Sequence, residues 1–227
     1  MLSVVAKALV ELKDRVVFLG GATVDIYIDD PAAPPLRVTD DVDCVAEIAS
    51  LQDYHRLGER LQALGFSHPL GENDPPICRW KLGATKVDVM ATGEDVFGFG
   101  NRWFQRGMET AEQVRLPDGT TIAVFGLPFF LASKIEAFQG RGGGDLYSSA
   151  DLEDIIAVLD GCRAVKTELD KAPQDVKEYL QARFRQFLQI EDFTSVVGGH
   201  PGDEGSLAAG RRAERIIALL REFAGRP

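Results

Sequence analysis

Hydrophobic positions change their spacing several times along the chain, and each change predicts a different element. Residues 3–13 carry Val5, Leu9 and Leu12 at helical intervals, with Val4 and Val10 alongside, and predict a helix. Residues 15–19 form a short apolar run and predict a buried strand. Asp29-Asp30-Pro31-Ala32-Ala33-Pro34-Pro35 is incompatible with a helix interior or a central strand, because proline lacks the amide donor. Residues 37–46 resume as a strand. Leu57, Leu61 and Leu64 mark a helix over 51–64, with Gly65 placed to stop it. Two hairpins are predicted next. One joins residues 77–82 to 86–90 across Gly83-Ala84-Thr85; the other joins 114–116 to 121–125 across Pro117-Asp118-Gly119-Thr120, the stronger turn signal.

Beyond Gly126 the period becomes helical. Residues 127–138 predict an apolar helix with Pro128 in its first turn, where the missing N–H costs nothing. A connector containing Gly140, Gly142, Gly143 and Gly144 follows, then a helix opened by Ser149 or Asp151, running through Leu159 and ended by Gly161. Residues 174–189 and 207–223 predict further helices, separated by a Gly/Pro-containing loop at 198–205. The order predicts an α/β (α+β) chain: a mixed sheet flanked by helices over 1–126, then a helical region over 127–227. No internal repeat is visible.

Composition narrows the class. At 227 residues the chain has room for a catalytic domain plus a helical one. No apolar run reaches the roughly 18 residues of a membrane span, so no membrane association is expected. Residues 1–14 lack the basic start, apolar centre and small-residue cleavage site of a secretory signal. Cys44, Cys78 and Cys162 are scattered, without a CxxC pair, which predicts reduced thiols in a cytoplasmic protein and no zinc site. A formal charge of −10 argues against broad nonspecific binding to nucleic acid and leaves room for a local basic groove. Part of that excess lies in 168–178 and Glu191-Asp192, which read as solvated helix faces.

Thr39-Asp40-Asp41-Val42-Asp43 carries the most chemistry. Side chains alternate along a strand, so Asp41 and Asp43 share one face while Asp40, Val42 and Cys44 take the other. Two carboxylates a pleat apart suit Mg²⁺ (or Mn²⁺), which takes one or two protein carboxylates together with phosphate oxygens. Upstream, Phe18-Leu19-Gly20-Gly21 is an apolar strand ending in paired glycines, where backbone N–H groups can approach a phosphate. Lys86-Val87-Asp88-Val89-Met90 offers a third carboxylate in another strand. Together these predict a metal-dependent nucleotidyl-transfer site. Asp41 and Asp43 bridge the metals, Asp88 holds the catalytic ion, Gly20, Gly21 and Thr39 meet the triphosphate, and Arg37 is a further phosphate ligand.

On these residues the chain resembles the nucleotidyltransferase superfamily with a DNA-polymerase-β-like fold. Within it, the chain is most similar to the AbiEii/AbiGii and MenT type, toxins of toxin–antitoxin and phage-defence systems. Lys134 in Leu131-Ala132-Ser133-Lys134 and Asp151-Leu152-Glu153-Asp154 belong to the same pattern, which spans about residues 10–160. The resemblance implies a nucleoside triphosphate substrate and an acceptor that is RNA, such as tRNA, or protein. It further implies an antitoxin partner, Lys134 as a charge on the phosphates, and Asp154 or Asp151 orienting the lysine or the base. The proline-rich segment then counts as an insertion before Asp41.

Each group also has a plainer reading. Asp41 and Asp43 would be exposed acids on an edge strand, Asp88 a strand-end acid, Gly20-Gly21 a tight turn, Lys134 a side chain reaching to water, and Asp151 a helix cap. Phe129 and Phe130 read as core, and Trp80 and Trp103 show no stacking partner. His55, His68 and His200 are isolated, and the glycine run lacks phosphate-loop spacing. The enzyme competes with a catalytically idle nucleotide-binding module and with a small-molecule, antibiotic-type nucleotidyltransferase.

Overall fold

Strand Asp41–Ala46 (β2) alternates half-exposed acids with buried Val42 and Cys44, and it lies inside a sheet rather than at its edge. The other strands are Val16–Leu19 (β1), Arg79–Leu82 (β3), Thr85–Ala91 (β4), Glu112–Arg115 (β5) and Thr121–Val124 (β6), in the order β3-β4-β2-β1-β6-β5. β2 runs parallel to β4 and antiparallel to β1, and β1 runs parallel to β6. Hairpins β3/β4 and β5/β6 close the two edges. The mixed sheet with helices expected from the sequence is therefore present. The edge-strand reading of the Asp pair is not.

This computed structural model describes residues 1–69, 75–93, 95–141, 146–191, 193–199 and 207–225. Gly142, Gly143 and Gly144 of the predicted connector, Asp192, His200 and most of the 198–205 loop lie outside the described residues. The chain forms two compact units: Met1–Thr23 with Val38–Gly126, and Val24–Arg37 with Leu127–Pro227.

In the first unit, the helix expected over 3–13 breaks at Leu9 into α1, Leu2–Ala8, and a 3₁₀ turn, Val10–Leu12. Parity sorts the sheet into two faces. Val42, Cys44, Val87, Val89 and Trp80 are essentially fully buried on one. That face is covered by Leu51–Ala63 (α3), whose Gly58 lets Trp80 approach so closely that a Cβ there would lie 3.3 Å from the indole. Trp80 Nε1 donates to the Tyr54 hydroxyl at 3.0 Å, and the His68 ring lies tilted against the indole with centroids 3.9 Å apart. Trp80 thus has ring partners that the sequence did not reveal. Ser50 caps α3 by accepting from Asp53 N–H. Phe104–Glu109 (α4), too short for a periodic pattern to expose, seats Phe125 against Gly107.

In the second unit, Leu127–Gly140 (α5) is buried from Leu127 through Ile135, as expected of a helix apolar on all sides. Phe129 and Phe130 are core residues, and Phe130 packs on Tyr27 of Val24–Tyr27 (α2) with ring centroids 4.6 Å apart. Ala150–Gly161 (α6), Val165–Lys171 (α7) and Gln174–Phe187 (α8) pack on α5, and Leu207–Ala224 (α10) packs on these three and on Phe193–Gly199 (α9). The proline-rich segment is tied to the end of α6: Asp29 and Asp30 amides donate to Gly161 O at 3.1 and 3.0 Å. A Cβ on Gly161 would sit 2.8 Å from Ile28 Cγ2. Buried Asp160 accepts from Arg212 and Arg215 of α10, and Arg212 also donates to Ala32 O at 2.6 Å. Among the described residues, no helix is long and apolar enough to cross a membrane.

Candidate metal centre

Register brings the three predicted carboxylates together. Asp43 pairs directly with Asp88 across the parallel β2/β4 ladder, and Asp41 lies one pleat away on the same face. One oxygen from each of Asp41, Asp43 and Asp88 lies within 4.8 Å of the others. Like charges so close are unfavourable without a counter-charge. Hard oxygen donors at this spacing suit a divalent cation of the Mg²⁺ type.

The glycine corner is built against this triad. Gly20 follows β1 with φ +79°, a backbone conformation that disfavours every L side chain. A Cβ at this position would fall 1.9 Å from Asp43 Oδ2. Gly20 O accepts from Thr23 N–H at 3.1 Å and from its hydroxyl at 2.9 Å, which tightens the 3₁₀ turn Gly21–Thr23. Thr39 Oγ1 donates to Asp41 Oδ1 at 2.6 Å. Thr39 therefore holds a carboxylate. Asp40, of the other parity, pairs with Lys86 at 2.9 Å, and that hydrogen bond lowers its pKa.

Sequence reasoning missed Arg79. It stands opposite Asp88 in the β3/β4 hairpin and grips it with both arms, Nε to Oδ1 at 2.8 Å and Nη2 to Oδ2 at 2.7 Å. Asp88 is 9% exposed. Its hydrogen bonds hold the Arg79 guanidinium above its ordinary pKa. The signal was present in the turn. β3 and β4 are joined by two residues, Gly83 (φ +60°) and Ala84, so Leu82 pairs with Thr85 and Arg79 with Asp88. The three-residue connection expected from the sequence slips the register by one, sets Trp80 opposite Asp88 and hides the ion pair.

The remaining predicted residues form a cluster of their own in the second unit. Lys134 of α5 is 8% exposed and lies 3.1 Å from Asp151 and 2.6 Å from Asp154 of α6. It does not reach to water. Arg37 forks onto Asp154 through Nε and Nη2 at 2.8 and 2.9 Å, and Arg141 meets Asp151 at 2.6 Å. Asp151 and Asp154 are 4% and 3% exposed, so the cations satisfy charges that burial would otherwise penalise heavily. Asp151 is not the cap of α6; Ser149 is, accepting from Leu152 N–H at 3.3 Å. Among the described residues, Lys134, Arg37 and Arg141 converge on the two buried carboxylates of α6.

No protein-family model matches the sequence, and no curated protein is significantly similar to it. Among solved structures, the chain is similar to the antibiotic-resistance factor ANT(2″)-Ia, with a TM-score of 0.48 and 12% identity over 80% of this chain and 89% of that one. That likeness is too distant to bear on residues or chemistry.

Proposed function

We propose that the protein is a metal-dependent nucleotidyltransferase, moving a nucleoside monophosphate from a triphosphate to an acceptor hydroxyl. The observation that carries this reading is the convergence of Asp41, Asp43 and Asp88 beside the Gly20 corner. In the reaction, the acceptor oxygen bonds to the α-phosphorus, the bond to the bridging oxygen breaks, and pyrophosphate leaves with that electron pair. Bound Mg²⁺ or Mn²⁺ would neutralise charge developing on the phosphate oxygens. Asp41, Asp43 and Asp88 would hold the metal. Asp88 would also take the acceptor's proton, since the Arg79 fork uses one lone pair on each of its oxygens and leaves others.

Gly20 and Gly21 would offer backbone N–H groups to the triphosphate, and Thr39, by fixing Asp41, would keep one ligand in place. The resemblance assigns Lys134 and Arg37 to the phosphates; within the second unit Asp151 and Asp154 hold both side chains. The resemblance to toxin nucleotidyltransferases favours an RNA acceptor such as tRNA, or a protein one, together with an antitoxin partner, and the scattered cysteines favour a cytoplasmic location.

The test is direct. Purified protein is incubated with each α-labelled nucleoside triphosphate, Mg²⁺ and total cellular RNA or lysate, and the label is followed onto RNA, protein or small metabolites. Transfer that needs the divalent ion and disappears in Asp41→Asn and Asp43→Asn supports the reading. Nucleotide binding without transfer onto any fraction sinks it in favour of an idle binding module.

A further inference from the structure

The Arg79–Asp88 fork has a consequence for how metal reaches the triad. A guanidinium gripping both oxygens of the third carboxylate places a fixed positive charge where a divalent ion would gain its attraction. Arg79 is 22% exposed at its side chain and Asp88 13%, so water screens the pair only partly. Its influence also extends to Asp41, whose charge adds to the forces holding the guanidinium protonated. Arginine stays charged at every accessible pH, so this counter-charge cannot be titrated away.

Resting on the nucleotidyltransferase reading, the geometry points to Arg79 as an internal counter-ion that keeps the bare triad from loading metal on its own and lets metal enter with the triphosphate. The triphosphate brings negative charge that offsets the repulsion between the incoming cation and Arg79. The fork also offsets part of the mutual repulsion among the three carboxylates in metal-free protein. Arg79 is thus a positioning residue acting through Asp88. A lysine in its place would keep the charge and lose the fork.

The experiment measures Mn²⁺ binding to the full chain by electron paramagnetic resonance and calorimetry, without nucleotide and with a non-hydrolysable triphosphate. Without nucleotide, Arg79→Gln binds Mn²⁺ at least about tenfold more tightly than the wild type, and Arg79→Lys stays within about threefold of it, as a charge effect requires. In melting experiments Arg79→Gln has a lower midpoint than wild type without metal, and saturating Mn²⁺ closes the gap. A metal affinity for Arg79→Gln equal to or weaker than wild type overturns the assignment. Should Arg79→Gln fail to fold, the wild type decides. The triphosphate tightens its Mn²⁺ binding at least about tenfold if Arg79 is the barrier, and an unchanged affinity overturns it. Asp43→Asn separates the two levels. If Mn²⁺ binding is lost in Asp43→Asn yet Arg79→Gln is no tighter than wild type, only the role of Arg79 falls. If wild type and Asp43→Asn bind no Mn²⁺ under either condition, the acidic site itself falls and this proposal with it.

Discussion

The Asp43 carboxylate occupies the space that a side chain at Gly20 would need, with Oδ2 only 1.9 Å from where that Cβ would stand. Gly20→Ala therefore has no local relaxation that preserves both the φ of +79° and the Asp43 position. We expect a loss of about 1–3 kcal/mol in urea unfolding, the usual range for a strained backbone position. Mn²⁺ binding should fall with it. Gly20→Ala retaining wild-type metal affinity would show that the corner does not set the carboxylate.

Removing one acid from the triad should separate stability from activity. Asp43→Asn relieves repulsion among three clustered carboxylates and keeps the side-chain shape. Metal-free protein should gain up to about 1 kcal/mol, a rise of roughly 2–4 °C in Tm for a chain of this size. Mg²⁺-dependent label transfer should fall at least about a hundredfold, the scale seen when a preorganised charge leaves a site. A variant that loses stability and keeps transfer would contradict both halves.

The buried cluster should behave in the opposite sense. Asp154→Ala removes one of the carboxylates that Lys134 meets and strips Arg37 of its fork. Breaking a buried pair on one side costs about 3–5 kcal/mol. Asp154→Asn, which can still accept hydrogen bonds, should cost less. Urea melts of both variants check this, and a near-neutral Asp154→Ala would mean that water already solvates the cluster.

The thiols make a pH prediction. Burial pushes Cys78 up to about 12 and raises Cys44, and it also pushes the Tyr54 phenol up to about 12. In the unfolded chain these groups ionise near their ordinary values, about 8.5 for a thiol and 10 for a phenol. Between those values and the folded ones the unfolded state binds fewer protons, so stability falls as pH rises. It should be intact below about pH 8 and decline from about pH 9 toward 12. A disulfide-exchange reagent at pH 8 should leave buried Cys44 and Cys78 untouched in folded protein and modify both in urea.

Much of the sheet was legible because its residues obey short-range rules. Asp-x-Asp parity in β2, the apolar run before Gly20 and the acid within Lys86-Val87-Asp88 are local patterns, and register delivered them to one place. The Arg79 fork was hidden by one residue in a turn length, because side-chain parity makes a single slip exchange the two faces. Lys134 was legible as a conspicuous lysine in an apolar helix. Its partners lie 17 and 20 positions away on the following helix, beyond the reach of helical periodicity. The short helices α2, α4, α7 and α9 run four to seven residues, too few for an amphipathic stripe.

The anchoring of Val24–Arg37 to Gly161 and Arg212 has a consequence for synthesis on the ribosome. This early stretch leaves the exit tunnel well over a hundred residues before the helices that tether it. During that interval Ile28, Pro34 and Pro35 have no wall to rest on, and the strands on either side are free to assemble around an open excursion. The N-terminal unit can therefore mature first with this loop unclaimed, while the C-terminal unit must recapture it. No single proteolytic cut between Gly126 and Leu127 would release two intact pieces.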